Sequence, residues 1–399
     1  MSRIEIVEKN VLKVYQKENP SIHYILENDK KKKLREKNLK NLIFENLKFP
    51  KKMFEKADLI DIGAGTGDTA IFFNNWGADC TLMEMNKYAL DRAKKIFKKM
   101  SKKNTRNKFI NASIFKKNLK KKYDIVTSIG VIHHTASPKI ALKKISKLVR
   151  NDGYLILGVA TDEGFFQRNL QRYIISLFTK LDNYEEVEKI AFKLFKENIL
   201  RANKFGGRSI KAIVFDTYIN PQIKGLSFFD IVSTLGKNFS YHSSAPEVNL
   251  FSNFDSPLSY KSDYFYKLKN LTNVSGLLMA SNSENHSIKF KNLNKKLKNI
   301  NDVHSKIIKL FSNFNQNSKI NLVNFNKDIK KLNKLIKNYN MLDDIFLENK
   351  KYNQELSNLS LLLNGKLNIH KFSKFIKNCK VLFKKSSGLG NNYYVFKKN

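Results

Sequence analysis

The stretch Asp61-Ile62-Gly63-Ala64-Gly65-Thr66-Gly67-Asp68 limits what this chain can fold into more than any other. A short run ending in Leu59-Ile60 enters it as a buried strand would, and Thr69-Ala70-Ile71-Phe72-Phe73 leaves it with helical character. Glycines at alternate positions let the backbone turn sharply and lie against a ligand, where a Cβ would intrude. The spacing separates the loop from a dinucleotide fingerprint. G-x-G-x-x-G/A starting at Gly63 needs Gly or Ala at position 68, where Asp68 stands. A carboxylate at a helix N-terminus opposes a pyrophosphate lodged there, so NAD is disfavoured.

From Asp58 to about Val159 strands and helices alternate, which implies a parallel sheet with helices on both faces. The expected strands are Asp58 to Ile62, Asp79 to Met83, Lys108 to Ile110, Tyr123 to Ser128 and Tyr154 to Val159. Gly77 suits the end of the first helix, Asn86 the cap of the second, and Ser137-Pro138 the start of a third. Asn151-Asp152-Gly153 reads as a tight turn into the fifth strand. A mostly helical section follows from Gly164 to about Ala202, then a strand at Phe239 to Ser244 and another at Asn392 to Phe396.

The acidic-x-Gly-x-Gly-x-Gly pattern at Asp61 to Gly67 resembles motif I of class I S-adenosylmethionine-dependent methyltransferases. Gly130-Val131-Ile132-His133-His134-Thr135 is similar to the G-V-L-H-H-T segment of many such enzymes, and to the V-I-H-H of tRNA wobble-uridine carboxymethyl methyltransferases. The resemblance implies an α/β fold, Rossmann-like and doubly wound, whose seven-stranded sheet ends in an antiparallel strand. N-terminal helices would precede it, with a large helical insertion or C-terminal extension. The cofactor implied is S-adenosylmethionine, held by Asp61, Gly63, Ala64, Gly65, Thr66, Gly67 and Gly130. Glu84 ends the second strand 23 residues after Asp61, where an acid of a doubly wound fold accepts both ribose hydroxyls. The family often places an Asp after the third strand to address the adenine amino group. This chain has Asn111-Ala112-Ser113 there, which leaves Ser113 or a backbone group to substitute.

Ligands of open parallel sheets bind at the carboxyl ends of the strands, which puts His133 and His134 beside the methyl donor. A neutral imidazole there orients an acceptor or takes up its proton, and these two are the catalytic candidates. Substrate-side candidates come later in the chain. Arg168 and Arg172 are four apart on one helix face, where they can meet an acidic group. Gly206-Gly207-Arg208 reads as a mobile lid, and Asp216-Thr217-Tyr218-Ile219-Asn220-Pro221 resembles a D-x-Y-x-x-P segment of uncharacterised relatives, with Asp216 and Tyr218 facing substrate. The Lys116 to Lys122 run precedes the fourth strand and so belongs to the opposite end of the sheet.

The net charge of +39 invites a nucleic-acid reading, but only nine of the 74 basic residues are arginine and none lies beyond Arg208. The excess is spread along a chain rich in Lys, Asn, Ile and Phe, whereas nucleic-acid binders gather charge on a face and favour Arg. A small-molecule acceptor is therefore the leading reading, with tRNA methylation as the alternative enzyme and a non-catalytic binding or scaffold protein as the third. Cys80 and Cys379 stand in no metal-like spacing, so no metal is expected, and a reduced, cytoplasmic protein without a membrane span is the simplest reading. The expected organisation is an N-terminal helical segment over 1–50, a methyltransferase core over 51–249, a Lys/Asn-rich helical region over 250–386 and a final strand over 387–399.

Overall fold

The computed structural model describes residues 2–245, 295–312, 314, 320–337, 344–384 and 391–399. Residues 250–294 of the Lys/Asn-rich region lie outside the described residues. Two helices lead the chain, α1 (Arg3–Lys17) and α2 (Asp29–Lys40), the second running into a π-helical turn at Asn41–Asn46. Ser2 and Glu5 close a capping box on α1, which satisfies two otherwise orphaned N–H groups.

Seven strands form one sheet: β1 (Asp58–Ile62), β2 (Asp79–Glu84), β3 (Lys108–Asn111), β4 (Tyr123–Ile129), β5 (Val149–Ala160), β6 (Phe239–Ala245) and β7 (Asn391–Lys398). Their spatial order is β3-β2-β1-β4-β5-β7-β6. β1 to β5 are parallel, while β7 lies antiparallel between β5 and β6. The central strands are covered on both faces, which is why Leu59, Ile60, Val126, Leu155, Ile156 and Leu157 are all fully buried in continuous apolar runs.

The helices after β1 follow in order: α3 (Ala70–Asn75), α4 (Lys87–Met100), α5 (Pro138–Ser146), α6 (Asp162–Ser176), α7 (Tyr184–Gly206), α8 (Ile210–Val214) and α9 (Phe228–Leu235). Then come α10 (Lys295–Ser312), α11 (Leu322–Lys337), α12 (Asp344–Asn364) and α13 (Ile369–Asn378), all between β6 and β7 in sequence. One core, with α2, α3 and α4, covers one face of the sheet, and a second, with α5 and α9, covers the other. A third core joins α6, α7 and α8 to α10–α13, away from the sheet.

Gly77 adopts a positive φ at the end of α3 and the Asn86 side chain caps α4, both as the sequence implies. Pro138 opens α5 as expected, but the Ser137 side chain makes no cap bond. The turn expected at Asn151-Asp152-Gly153 is instead a bulge within β5. Tyr123 pairs with Val149 and the register resumes at Ile125 with Tyr154, so the extra residues are absorbed without ending the strand.

Candidate functional site

A cavity of 380 Å³ opens where β1, β2, β3 and β4 end, and the glycine loop forms one wall. Two of its glycines have no room for a side chain. A Cβ on Gly63 would sit 2.5 Å from Val131, and one on Gly65 would sit 2.3 Å from the Ser21 hydroxyl. Both adopt positive φ, so the loop presses against the β4 loop on one side and the N-terminal segment on the other. Ala64 also lines the cavity, while Thr66 and Gly67 lie behind it. Thr66 donates its hydroxyl to the Ser21 carbonyl at 3.0 Å, and Gly67 packs on Ala93 of α4.

Two buried carboxylates face the cavity. Glu84 accepts from the Gly65 N–H at 2.9 Å and from the Asn86 N–H at 2.8 Å. Asp61 accepts from the Thr127 hydroxyl at 2.7 Å. Burial pushes Asp61 up to about 7, with the Thr127 bond opposing and the Glu84 charge adding. Burial raises Glu84 as well, against the backbone N–H bonds from Asn86, Gly65 and Met85 that favour its charge. A carboxylate offers about four acceptor sites, so both retain capacity for ligand donors. Ser113, just past β3, donates to the Glu8 carboxylate of α1, and both residues line the cavity. Gly130 lines it too, its N–H donated to the Gly158 carbonyl at 2.8 Å.

The opposite wall carries the histidines and two arginines. His133 Nδ1 accepts from the Ala160 N–H at 3.2 Å, which leaves the proton of the neutral ring on Nε2. Burial holds His133 well below the ordinary histidine range and lowers His134 as well, so both rings are neutral. His134 Nδ1 lies 2.9 Å from both the Gln222 carbonyl and the Asn220 carboxamide nitrogen, and its Nε2 lies 3.8 Å from Asp216. Its Nδ1 is thus engaged by the protein, while Nε2 faces Asp216 beyond hydrogen-bond range. Arg208 donates to Asp216 at 3.0 Å and to the Pro20 carbonyl at 3.3 Å. Burial alone would raise Asp216, but the Arg208 and Arg168 guanidiniums outweigh it and bring it down to about 2.

The expected lid is tied down. Gly207 ends α7 in the left-handed region, Asn203 donates to the Arg208 carbonyl at 2.6 Å, and Arg208 itself is ion-paired. Arg168 and Arg172 also part company. Arg168 lines the cavity with its guanidinium 4.8 Å from the Phe165 ring centroid, whereas Arg172 is buried outside it and lowered to about 10 by that burial. Asp216 lines the cavity, but Tyr218 turns away to bond Gln171 at 3.1 Å in the helical core.

Several lining residues had not been assigned to the site from the sequence. Glu8, Val11 and Tyr15 project from one face of α1, Ser21 latches onto the glycine loop, and Tyr393 arrives on β7. Arg35 of α2 donates to the Thr69 hydroxyl at 2.5 Å, and its Nε is buried without a partner. One signal pointed there: three of nine arginines in a lysine-rich chain, Arg35, Arg168 and Arg208, line this cavity.

Residues 32–196 match the family model described as a methyltransferase domain. That region holds β1 to β5, the glycine loop, Glu84 and the histidine loop. The chain carries a methyltransferase domain over that region. Over 114 residues it is 29% identical to the highly reducing polyketide synthase GPY1 of Gibberella fujikuroi, a match covering 26% of this chain and 4% of that protein. Magnesium protoporphyrin IX methyltransferase from Synechocystis, solved with bound SAH, is 16% identical, with a TM-score of 0.31 over 48% of this chain and 67% of its own. The 1,6-didemethyltoxoflavin-N1-methyltransferase of Burkholderia thailandensis is 17% identical, with a TM-score of 0.26 over 32% and 52%. The methyltransferase domain thus accounts for only part of the chain, and the chain spans only a small part of the polyketide synthase. Among the described residues no group of His, Cys, Asp or Glu is placed to hold a metal ion, and no helix is long and apolar enough to cross a membrane.

Proposed function

We propose that the whole chain is an enzyme that transfers a methyl group from S-adenosylmethionine to an O, N or C nucleophile of a small molecule. The observation that carries the reading is the pair of buried carboxylates, Glu84 and Asp61, turned toward one cavity beside a glycine loop. The donor supplies a methyl group already activated on a sulfonium, so alignment is the main demand on the protein. Glu84 is placed to accept the ribose hydroxyls, and Asp61 to face the donor's ammonium group. Arg35, with its unpartnered Nε, suits the donor's carboxylate. Glu8 takes the part that an Asp after β3 would play, with Ser113 fixing its carboxylate for the adenine amino group.

On the acceptor side His133 presents Nε2–H as a hydrogen-bond donor, so its role is to orient the acceptor and not to remove a proton. His134 holds the loop of Asn220 and Gln222 in place. Arg208 and Asp216 close the wall as an ion pair. The cover that α1 and Ser21 place over the cavity favours a small acceptor over a base within an RNA chain.

Calorimetry with S-adenosylmethionine tests the donor. Binding by the wild type is expected, and Glu84→Gln should weaken it about 10- to 100-fold, since hydrogen bonds to a charged group contribute roughly 1.5–3 kcal/mol. No binding at high micromolar ligand sinks the reading, and unchanged affinity in the variant sinks the ribose assignment. Labelled donor incubated with small-molecule and RNA fractions then decides the acceptor class. Label in RNA alone would reject the small-molecule reading.

A further inference from the structure

The acceptor wall of the cavity holds one more cation than it has anions to match. Arg208 is spoken for by Asp216 and by the Pro20 carbonyl. Arg168, one helix away on α6, has no hydrogen bond or ion pair among the described residues; its guanidinium rests over the Phe165 ring at 4.8 Å. Both histidines on this wall are neutral through burial and offer no compensating charge. A guanidinium stacked on a ring keeps its fork of N–H groups in a fixed plane, ready for a bidentate partner.

The surroundings describe the rest of such a partner. His133 packs 5.6 Å from Phe165 and 4.2 Å from His134, whose ring meets Tyr15 edge-on at 6.2 Å. These rings, tilted by 49° to 82° to their neighbours, make an unsaturated wall beside the cation. The other end of the cavity has its own arginine in Arg35, beside Thr69 and the glycine loop, so the donor's carboxylate does not need Arg168.

Resting on the methyltransferase reading above, we propose that the acceptor is a small planar molecule bearing a carboxylate, which Arg168 binds while His133 and Phe165 hold its ring. Arg168 is a specificity residue in this scheme. A guanidinium without a hydrogen-bonded anion matches one carboxylate.

The test uses the full chain saturated with S-adenosylhomocysteine, and benzoate and cinnamate as probes against their neutral amides, benzamide and cinnamamide. By calorimetry the acids should bind the wild type at least about ten-fold more tightly than the amides. Arg168→Gln should erase that preference, and Arg168→Lys should retain part of it. S-adenosylhomocysteine affinity should stay within about two-fold in both variants, because Arg168 is assigned to the acceptor. Equal binding of acid and amide by wild type overturns the proposal, as does a preference that survives Arg168→Gln or the absence of any acid binding. A large loss of S-adenosylhomocysteine affinity in Arg168→Gln also overturns it, by moving the residue to the donor. Failure of wild type to bind S-adenosylhomocysteine at all overturns the donor reading itself, and with it this proposal.

Discussion

At the scale of single residues, Asp61 makes the donor site sensitive to pH. Its carboxyl is raised to about 7 because it is buried among β1, β4 and Glu84 with one hydroxyl for company. The folded protein therefore keeps a proton there that the unfolded chain releases at ordinary carboxylate pH. The sign follows from linkage: this group makes the ligand-free protein lose stability as pH rises from about 4 to about 7. A bound ammonium group would favour the ionised form and expel that proton. Donor binding should thus release protons at pH 6, seen as a difference in observed enthalpy between phosphate and Bis-Tris buffers, and affinity should climb toward pH 7. Asp61→Asn should abolish the buffer dependence, and equal enthalpies for the wild type would reject the ammonium contact. Asp61 and Glu84 were legible because each lies at the end of a strand within a recognisable motif. Arg35 and Glu8 were not, since nothing in a lysine-rich amphipathic helix marks which polar residue turns inward.

At the scale of elements, α1 becomes part of the site. Glu8, Val11 and Tyr15 recur at three- and four-residue steps, so one helical face meets the cavity while Val14 enters the helical core. The sequence implied a helical segment over 1–50, but a helical segment does not by itself say which surface it covers. The contact depends on Ser21 meeting a glycine loop 45 residues away. If Glu8 accepts the adenine amino group, Glu8→Ala should weaken S-adenosylhomocysteine binding about ten-fold, because a donor amine loses its only carboxylate partner. The inosine analogue of S-adenosylhomocysteine, which lacks that amine, should bind wild type weakly and Glu8→Ala no worse. Discrimination between the two ligands that persists in Glu8→Ala would place adenine recognition elsewhere. Glu8 is part-exposed, so thermal stability should move little, and a fall of more than a few degrees would point to a structural role instead.

For the whole molecule, the order of the chain and the order of the sheet diverge most at its end. β7 is the last strand made, yet it lies between β5 and β6, pairing from Tyr154 with Lys397 to Ala160 with Asn391 on one side and from Phe239 with Lys398 to Ala245 with Tyr393 on the other. Tyr394, Val395 and Phe396 are buried there, and Tyr393 reaches the cavity. The β-rich run at the chain's end was readable because its residues favour a pleated surface. What lies between β6 and β7 was not, because its Lys, Asn and Leu give helical spacing without saying which helices meet. α6 shows the difficulty: with ten consecutive or near-consecutive residues buried, from Phe165 to Ile175, it has no single apolar stripe, since α7 and α10 pack on the side that a two-layer fold would leave to water. Removal of residues 386–399 takes out the middle of a half-sheet and not a tail. It strips β5 and β6 of their shared partner at once and leaves two long unpaired edges beside an apolar core. The truncated chain should therefore partition into the insoluble fraction on expression, and any soluble remainder should elute as aggregate on size exclusion. A soluble, monodisperse truncation with the wild-type circular dichroism spectrum would mean that β5 and β6 can close without β7, and would overturn the placement of the last strand at the centre of that half of the sheet.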